Sequence, residues 1–194
     1  AQQYLQVYAD LPHSTDELAN VRARVATLHK VLPMLTRAAD LMKAGQATAP
    51  AGANALAIYR DVLKLDPDNR LADSGLATIE RGYLDHALAE VARDDFSGAD
   101  GTLALASTIR PGSTALLETR ARIDGIRRQR AESVLAQARS ALDSGNADLA
   151  EQLAKQAQST SPDLVGLDQF NLRLRNARLY ASLSPGPVIH DSFL

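Results

Sequence analysis

Cysteine is absent from these 194 residues. That excludes disulfides, thiolate zinc sites and cysteine nucleophiles. Tryptophan is absent too, and aromatic residues make up only 4%. A long sheet wants β-branched and aromatic side chains, whereas the abundant alanine suits closely packed helices. Neither sign of charge dominates: 21 Lys+Arg stand against 23 Asp+Glu, a formal net charge of -2. A strongly basic nucleic-acid binder and a long acidic tail are thereby excluded. No apolar run approaches the ~18 residues of a membrane span, and no signal peptide is read in this stretch. What remains, with 45% hydrophobic and 23% charged residues, is the mixture of a globular chain of one domain or two small ones.

Four prolines punctuate Ala-rich apolar runs: Pro12, Pro67, Pro111 and Pro162. Proline stops a helix because it lacks a donor and clashes with the preceding turn. The residues after them, Ser14-Thr15, Asp68-Asn69, Gly112-Ser113 and Asp163, offer N-caps for the next helix. Small or slim residues stand at fixed offsets before the last three. Twelve residues ahead are Ala55, Ala99 and Ala150, five ahead are Val62, Ala106 and Ala157, and twenty-four ahead of the last two are Ala87 and Ala138. Such residues let antiparallel helices approach closely. Gly145, in Asp143-Ser144-Gly145-Asn146, supplies a helix-ending turn with φ > 0.

This spacing resembles the tetratricopeptide repeat (TPR), with Tyr59 where that repeat favours an aromatic. The likeness covers residues 131–164, 80–113 and, in part, 53–69. It implies an all-α fold, a right-handed array of antiparallel helix pairs, here with long first helices. The prolines lie 55, 44 and 51 residues apart, more than the repeat needs, and the surplus falls in those first helices. The expected elements are long first helices over 14–44, 71–93 and 114–143, the last two each one helix or two stacked segments, short ones near 54–65, 97–109 and 146–159, and a last helix at 164–182. Pro33 should kink or break the first. Leu18, Val21, Val25 and Leu28 form one apolar stripe on it, behind the acidic pair Asp16-Glu17 at its positive end.

Arg22-Ala23-Arg24-Val25 recurs as Arg120-Ala121-Arg122-Ile123, 98 residues on, and reads as internal duplication. The loop 45–53 is small and flexible, a linker-like surface insertion. Counting back from Pro12 places Tyr4 and Val7 on a short second helix over residues 1–11. The repeat domain is read as 1–183, and 184–194, opening with Ser184-Pro185-Gly186-Pro187, as an extended tail leading to a following domain.

Chemistry is sparse. His13, His29, His86 and His190 make no i, i+4 pair and no metal motif. His86, with Asp85 beside it and Asp94 and Asp95 two turns on, reads as surface. Asp66-Pro67-Asp68-Asn69 lacks the glycine and distal glutamate of a calcium loop and reads as turn and cap. There is no nucleophile elbow, Walker loop or dinucleotide fingerprint. No catalytic residue, metal or cofactor is expected. The strongest charged feature is Arg120, Arg122, Arg127, Arg128 and Arg130 around Asp124. Part of it suits i, i+3 and i+4 pairing on a solvated face. Arg120, Arg127 and Arg128 are the candidate surface for an acidic partner, and no aromatic interleaves them as nucleic-acid binding would ask.

The leading expectation is thus a non-catalytic protein- or peptide-interaction module. The stretch from Ala53-Asn54-Ala55-Leu56 through Tyr59, Leu65-Asp66-Pro67-Asp68-Asn69 and Gly75-Leu76 to Arg81 and Tyr83 resembles TPR-like regions in the extracytoplasmic part of bacterial membrane-anchored regulators, including Ser/Thr protein kinases. The tail from Gly186 to Leu194 resembles the lead-in to a formylglycine-generating-enzyme-like domain. These likenesses imply a periplasmic sensor role within a larger protein. The alternative class is a scaffold or assembly factor of an envelope or secretion system.

Overall fold

The computed structural model describes residues 15–183, and these contain seven α-helices and no strand. They are α1 (Thr15–Lys43), α2 (Ala55–Leu65), α3 (Arg70–Val91), α4 (Phe96–Ile109), α5 (Thr114–Asp143), α6 (Ala147–Thr160) and α7 (Leu167–Ser182). The chain is all-α, and long helices alternate with short ones as the proline spacing predicts. The helix expected over 1–11, the turn at Pro12 and the tail 184–194 lie outside the described residues.

Stops and caps follow the local chemistry. Asn54 Oδ1 accepts from the Ala57 amide at 2.9 Å, Asn69 Oδ1 from Ala72 at 3.0 Å, Ser113 Oγ from Leu116 at 3.1 Å and Asn146 Oδ1 from Leu149 at 3.1 Å, capping α2, α3, α5 and α6. The long helices α1 and α5 end alike. Gly45 and Gly145 are left-handed, and the amides beyond them, Gln46 and Asn146, reach back to Leu41 and Ala141 at 2.8 and 2.9 Å. That is a Schellman closure, for which glycine is the unstrained residue. Asp94 takes the same place after α3 at φ 60°.

Two expectations are narrowed. Of the kink or break expected at Pro33, the break does not occur, since α1 is continuous from Thr15 to Lys43. Its ring is exposed, and the buried Val31 and Ala38 anchor the helix on either side. The last helix begins at Leu167 rather than at 164, with Gly166 at φ +84° and no side-chain cap from Asp163. Leu164 is buried instead, so the segment from Ser161 turns inward before the helix starts.

Burial repeats at a fixed interval. Seven and fourteen residues before the left-handed residue that ends each long helix stand buried side chains: Ala38 and Val31, Ala87 and Glu80, Ala138 and Ala131. The short helices bury Ala55 and Val62, Ala99 and Ala106, Ala150 and Ala157, all 0% exposed. Seven residues is about two helical turns, so each pair stacks on one face. In this register α1 and α5 correspond at 100 residues, not 98. The likeness of Arg22–Val25 to Arg120–Ile123 is therefore no structural equivalence, because a slip of two residues turns a helix face by about 200°. Val25 is partly exposed where Ile123 is fully buried.

The described residues form two compact units, the first up to Glu90 together with Ser97–Leu116, the second of Val91–Phe96 with the residues from Leu117 on. In the first, Val31 and Ala38 of α1, Ala55, Tyr59 and Val62 of α2, and Ala72, Leu76 and Ile79 of α3 share one core with Ile109 of α4. The stripe Leu18, Val21, Val25 and Leu28 does not join it, and Leu28 is 37% exposed. The reason is length. At 1.5 Å per residue α1 runs about 43 Å and α2 about 16 Å, so the short helix covers only the second half of the long one.

Asp66 closes the turn from α2 to α3. Its buried carboxylate accepts from the Asn69 amide at 2.9 Å and from Arg24 at 2.8 Å. The Asn69 hydrogen bond and then Arg24 hold it below the usual carboxylate range, against burial, which pushes it up.

In the second unit Ala131, Leu135, Ala138 and Ala141 of α5 pack on Ala150, Ala154 and Ala157 of α6 and on Leu167, Phe170 and Leu174 of α7. These alanine contacts allow no larger residue. Ala157→Leu adds three carbons at a 0% exposed site, and overpacking of this kind costs ~1–3 kcal/mol. The melting temperature should fall by roughly 2–10 °C for a chain of this size. Ala51→Leu in the exposed loop should move it by less than about 2 °C. Ala47 would be a poor control, since it packs against the core of the first unit. Equal shifts at Ala157 and Ala51 in a thermal melt would contradict the packing described.

Candidate partner-binding groove

The chain passes from the left-handed Gly145 into α6 more directly than it passes from Gly45 into α2. Ala150 follows Gly145 by five residues, and its counterpart Ala55 follows Gly45 by ten. The extra residues make a structured insertion rather than the linker-like loop expected. The carbonyls of Gln46 and Ala47 accept from the amides of Ala55 and Leu56 at 3.1 and 2.9 Å. The Asn54 side chain donates to Thr48 and Pro50 carbonyls at 2.9 and 2.7 Å while capping α2. The Thr48 hydroxyl lies 3.1 Å from that of Tyr83, so the insertion is pinned onto α3.

Between the end of α1, this insertion and the middle of α3 lies an open groove of about 380 Å³. Met42, Ala47, Ile79 and Tyr83 give it apolar walls, and Thr78, Gly82 and His86 follow one another at i, i+4 and i+8 along α3. Thr78 donates its hydroxyl to the Ser74 carbonyl at 2.9 Å. Gly82 is the open point of the row, since a Cβ added there would meet no atom within 4 Å.

At the far end stands His86, its side chain 61% exposed. Its Nδ1 is 3.4 Å from Glu90 Oε1 and 3.5 Å from Thr102 Oγ1. Glu90 is otherwise buried, and its Oε2 has no hydrogen-bond partner.

The expected arginine surface is arranged differently. Arg120 and Arg128 are exposed, and Arg128 Nε turns back to the Asp124 carbonyl at 3.4 Å. Arg127 lies over the Phe96 ring at 5.3 Å and reaches the Phe96 carbonyl at 3.5 Å. Arg130 pairs with Asp94 at 3.1 Å. Two of the five arginines thus hold the connection between α3 and α4. On α5, Arg120 and Arg127 share a line, while Arg128 lies about 80° round the helix.

Sequence reasoning did not find the groove. Its walls come from three elements and from ordinary residue types, and the one signal available was a helix-interior glycine, Gly82, four residues before a histidine. Among the described residues, no three metal-ligating side chains gather at one place and no helix is long and apolar enough to cross a membrane. No family model, curated protein or solved structure matches the chain.

Proposed function

We propose that the chain is a non-catalytic protein-interaction module, a TPR-like array of antiparallel helix pairs that takes a partner segment in the groove beside α1 and α3. The observation that carries this reading is an open, largely apolar concavity on two long helices, with a glycine in its floor that no internal contact explains. The interval of seven between buried small residues supports the array, since such spacing brings paired helices close. Apolar concavities with a few placed polar groups are where partner segments and ligands dock. A place in the extracytoplasmic part of a membrane-anchored, Ser/Thr-kinase-type regulator is supported by the sequence resemblance.

The test is occlusion of the groove. Gly82→Leu projects a side chain into open space and replaces a poor helix former, so the fold should be kept. Random peptides displayed on phage and selected on the 194-residue protein should yield binders whose capture falls at least about tenfold on Gly82→Leu, the equivalent of roughly 1.4 kcal/mol. Circular dichroism should show equal helicity. Binders indifferent to Gly82→Leu, or no binders at all, would refute the reading.

A further inference from the structure

Resting on the groove reading, we infer that the partner segment carries a bulky apolar side chain and, about 10 Å beyond it, a lysine or arginine that completes the carboxylate of Glu90. Glu90 lies seven residues after Tyr83 and four after His86 on α3, so it continues the groove-facing side of that helix by one turn. It also lies one residue from the helix end. A carboxylate there meets the negative end of the helix dipole, the unfavourable end for an anion. Among the described residues of the first unit, no lysine or arginine pairs with it. One oxygen has only the imidazole at 3.4 Å and the other has no partner. On α4, the neutral hydroxyl of Thr102 lies 3.5 Å from that imidazole.

Buried polar atoms without a partner are rare and call for a reason. Here the group against Oε1 is an exposed histidine held by two long contacts, which a cation could displace. The rest of the groove lining is uncharged. A segment with an apolar anchor against Ile79 and Tyr83 and one cation at the His86 end therefore matches the groove in both shape and charge, whereas an acidic segment would meet Glu90 unfavourably. Seven residues of helix span about 10 Å, matched in the partner by seven helical or three extended residues.

The phage selection tests this with a second readout. Groove-dependent peptides, those lost on Gly82→Leu, should carry Lys or Arg three or seven residues from a bulky apolar residue. Synthetic copies titrated by fluorescence anisotropy should bind Glu90→Gln about tenfold more weakly, since a charge-assisted contact is lost. Replacing the peptide lysine by norleucine should cost about the same on wild type and nothing more on Glu90→Gln, the non-additivity of two groups in contact. Groove-dependent peptides without basic residues, or equal affinity for wild type and Glu90→Gln, would overturn the inference and leave the groove reading standing. Peptides indifferent to Gly82→Leu would remove both. The Glu90→Gln protein should keep wild-type helicity, because the change removes a buried charge that lacks a cationic partner.

Discussion

Arg110→Met should destabilise the protein by about 2–4 kcal/mol, because it strands a carboxylate that has almost no contact with water. The Glu80 side chain is only 2% exposed. Arg110 Nη1 donates to its Oε2 at 3.2 Å, and the Ser113 hydroxyl donates to Oε1. Ser113 in turn caps α5 through the Leu116 amide. Arg110 also reaches Asp73 at 3.3 Å, but that carboxylate is 57% exposed and contributes little. Removing the guanidinium leaves the Glu80 charge with one neutral donor. Urea denaturation should show the midpoint falling with little change in slope. Adding Glu80→Gln should recover a large part of the loss, since a neutral amide is cheaper to bury than an unpaired charge. A midpoint within experimental error of wild type for Arg110→Met would show that the pair is not what stabilises this corner.

Two alanine substitutions about 10 Å apart on one helix should have opposite signs. Gly82→Ala should stabilise by about 0.5–1 kcal/mol, the ordinary gain of alanine over glycine in a helix interior, because its Cβ meets no atom. Gly75→Ala makes the same gain but places a Cβ 2.4 Å from Cε2 and Cζ of Tyr59. That ring is buried at 7% exposure between α2 and α3, so it must shift or the helices must part. Overpacking of ~1–3 kcal/mol outweighs the helix gain, and the net result should be a loss of about 1–2 kcal/mol. Tyr59→Leu clears the ring atoms, so Gly75→Ala should cost less in that background, a coupling that a double-mutant cycle reads directly. Two stabilising alanines would mean that Gly75 is not the seat of the Tyr59 ring.

Much of the helical layout was legible because it is written in local chemistry. α2, α4 and α6 end two residues before Pro67, Pro111 and Pro162, and Asn69 and Ser113 cap because their side chains reach amides three residues ahead. Gly145 ends α5 because a left-handed backbone suits glycine. The offsets that picked out Ala55, Ala99, Ala150, Val62, Ala106 and Ala157 located residues the structure buries completely. Where local rules misled, a longer-range contact decided. Asp163 could have capped α7, but burial of Leu164 carries the chain past it. The stripe at Leu18–Leu28 has helical period, yet α2 is too short to reach it. Loop 45–53 has the composition of a flexible connection, but Asn54 and Tyr83 pin it.

The candidate site shows the same division. The arginines of α5 read as a charged face, because nothing in their own neighbourhood discloses that Phe96, thirty-one residues away, lies under Arg127. His86 reads as surface, because nothing near it in sequence discloses that Thr102 of α4 lies 3.5 Å from its ring. By itself the sequence determined that the chain is helical, where most helices begin and end, and which small residues sit inside. All of these follow from interactions spanning a few residues, or from a periodicity that holds in any environment. Only the tertiary structure decided which charges are buried, which glycine is filled by a ring and which is open, and where a concavity remains. Those depend on side chains from separate helices meeting at particular distances, which no local pattern encodes.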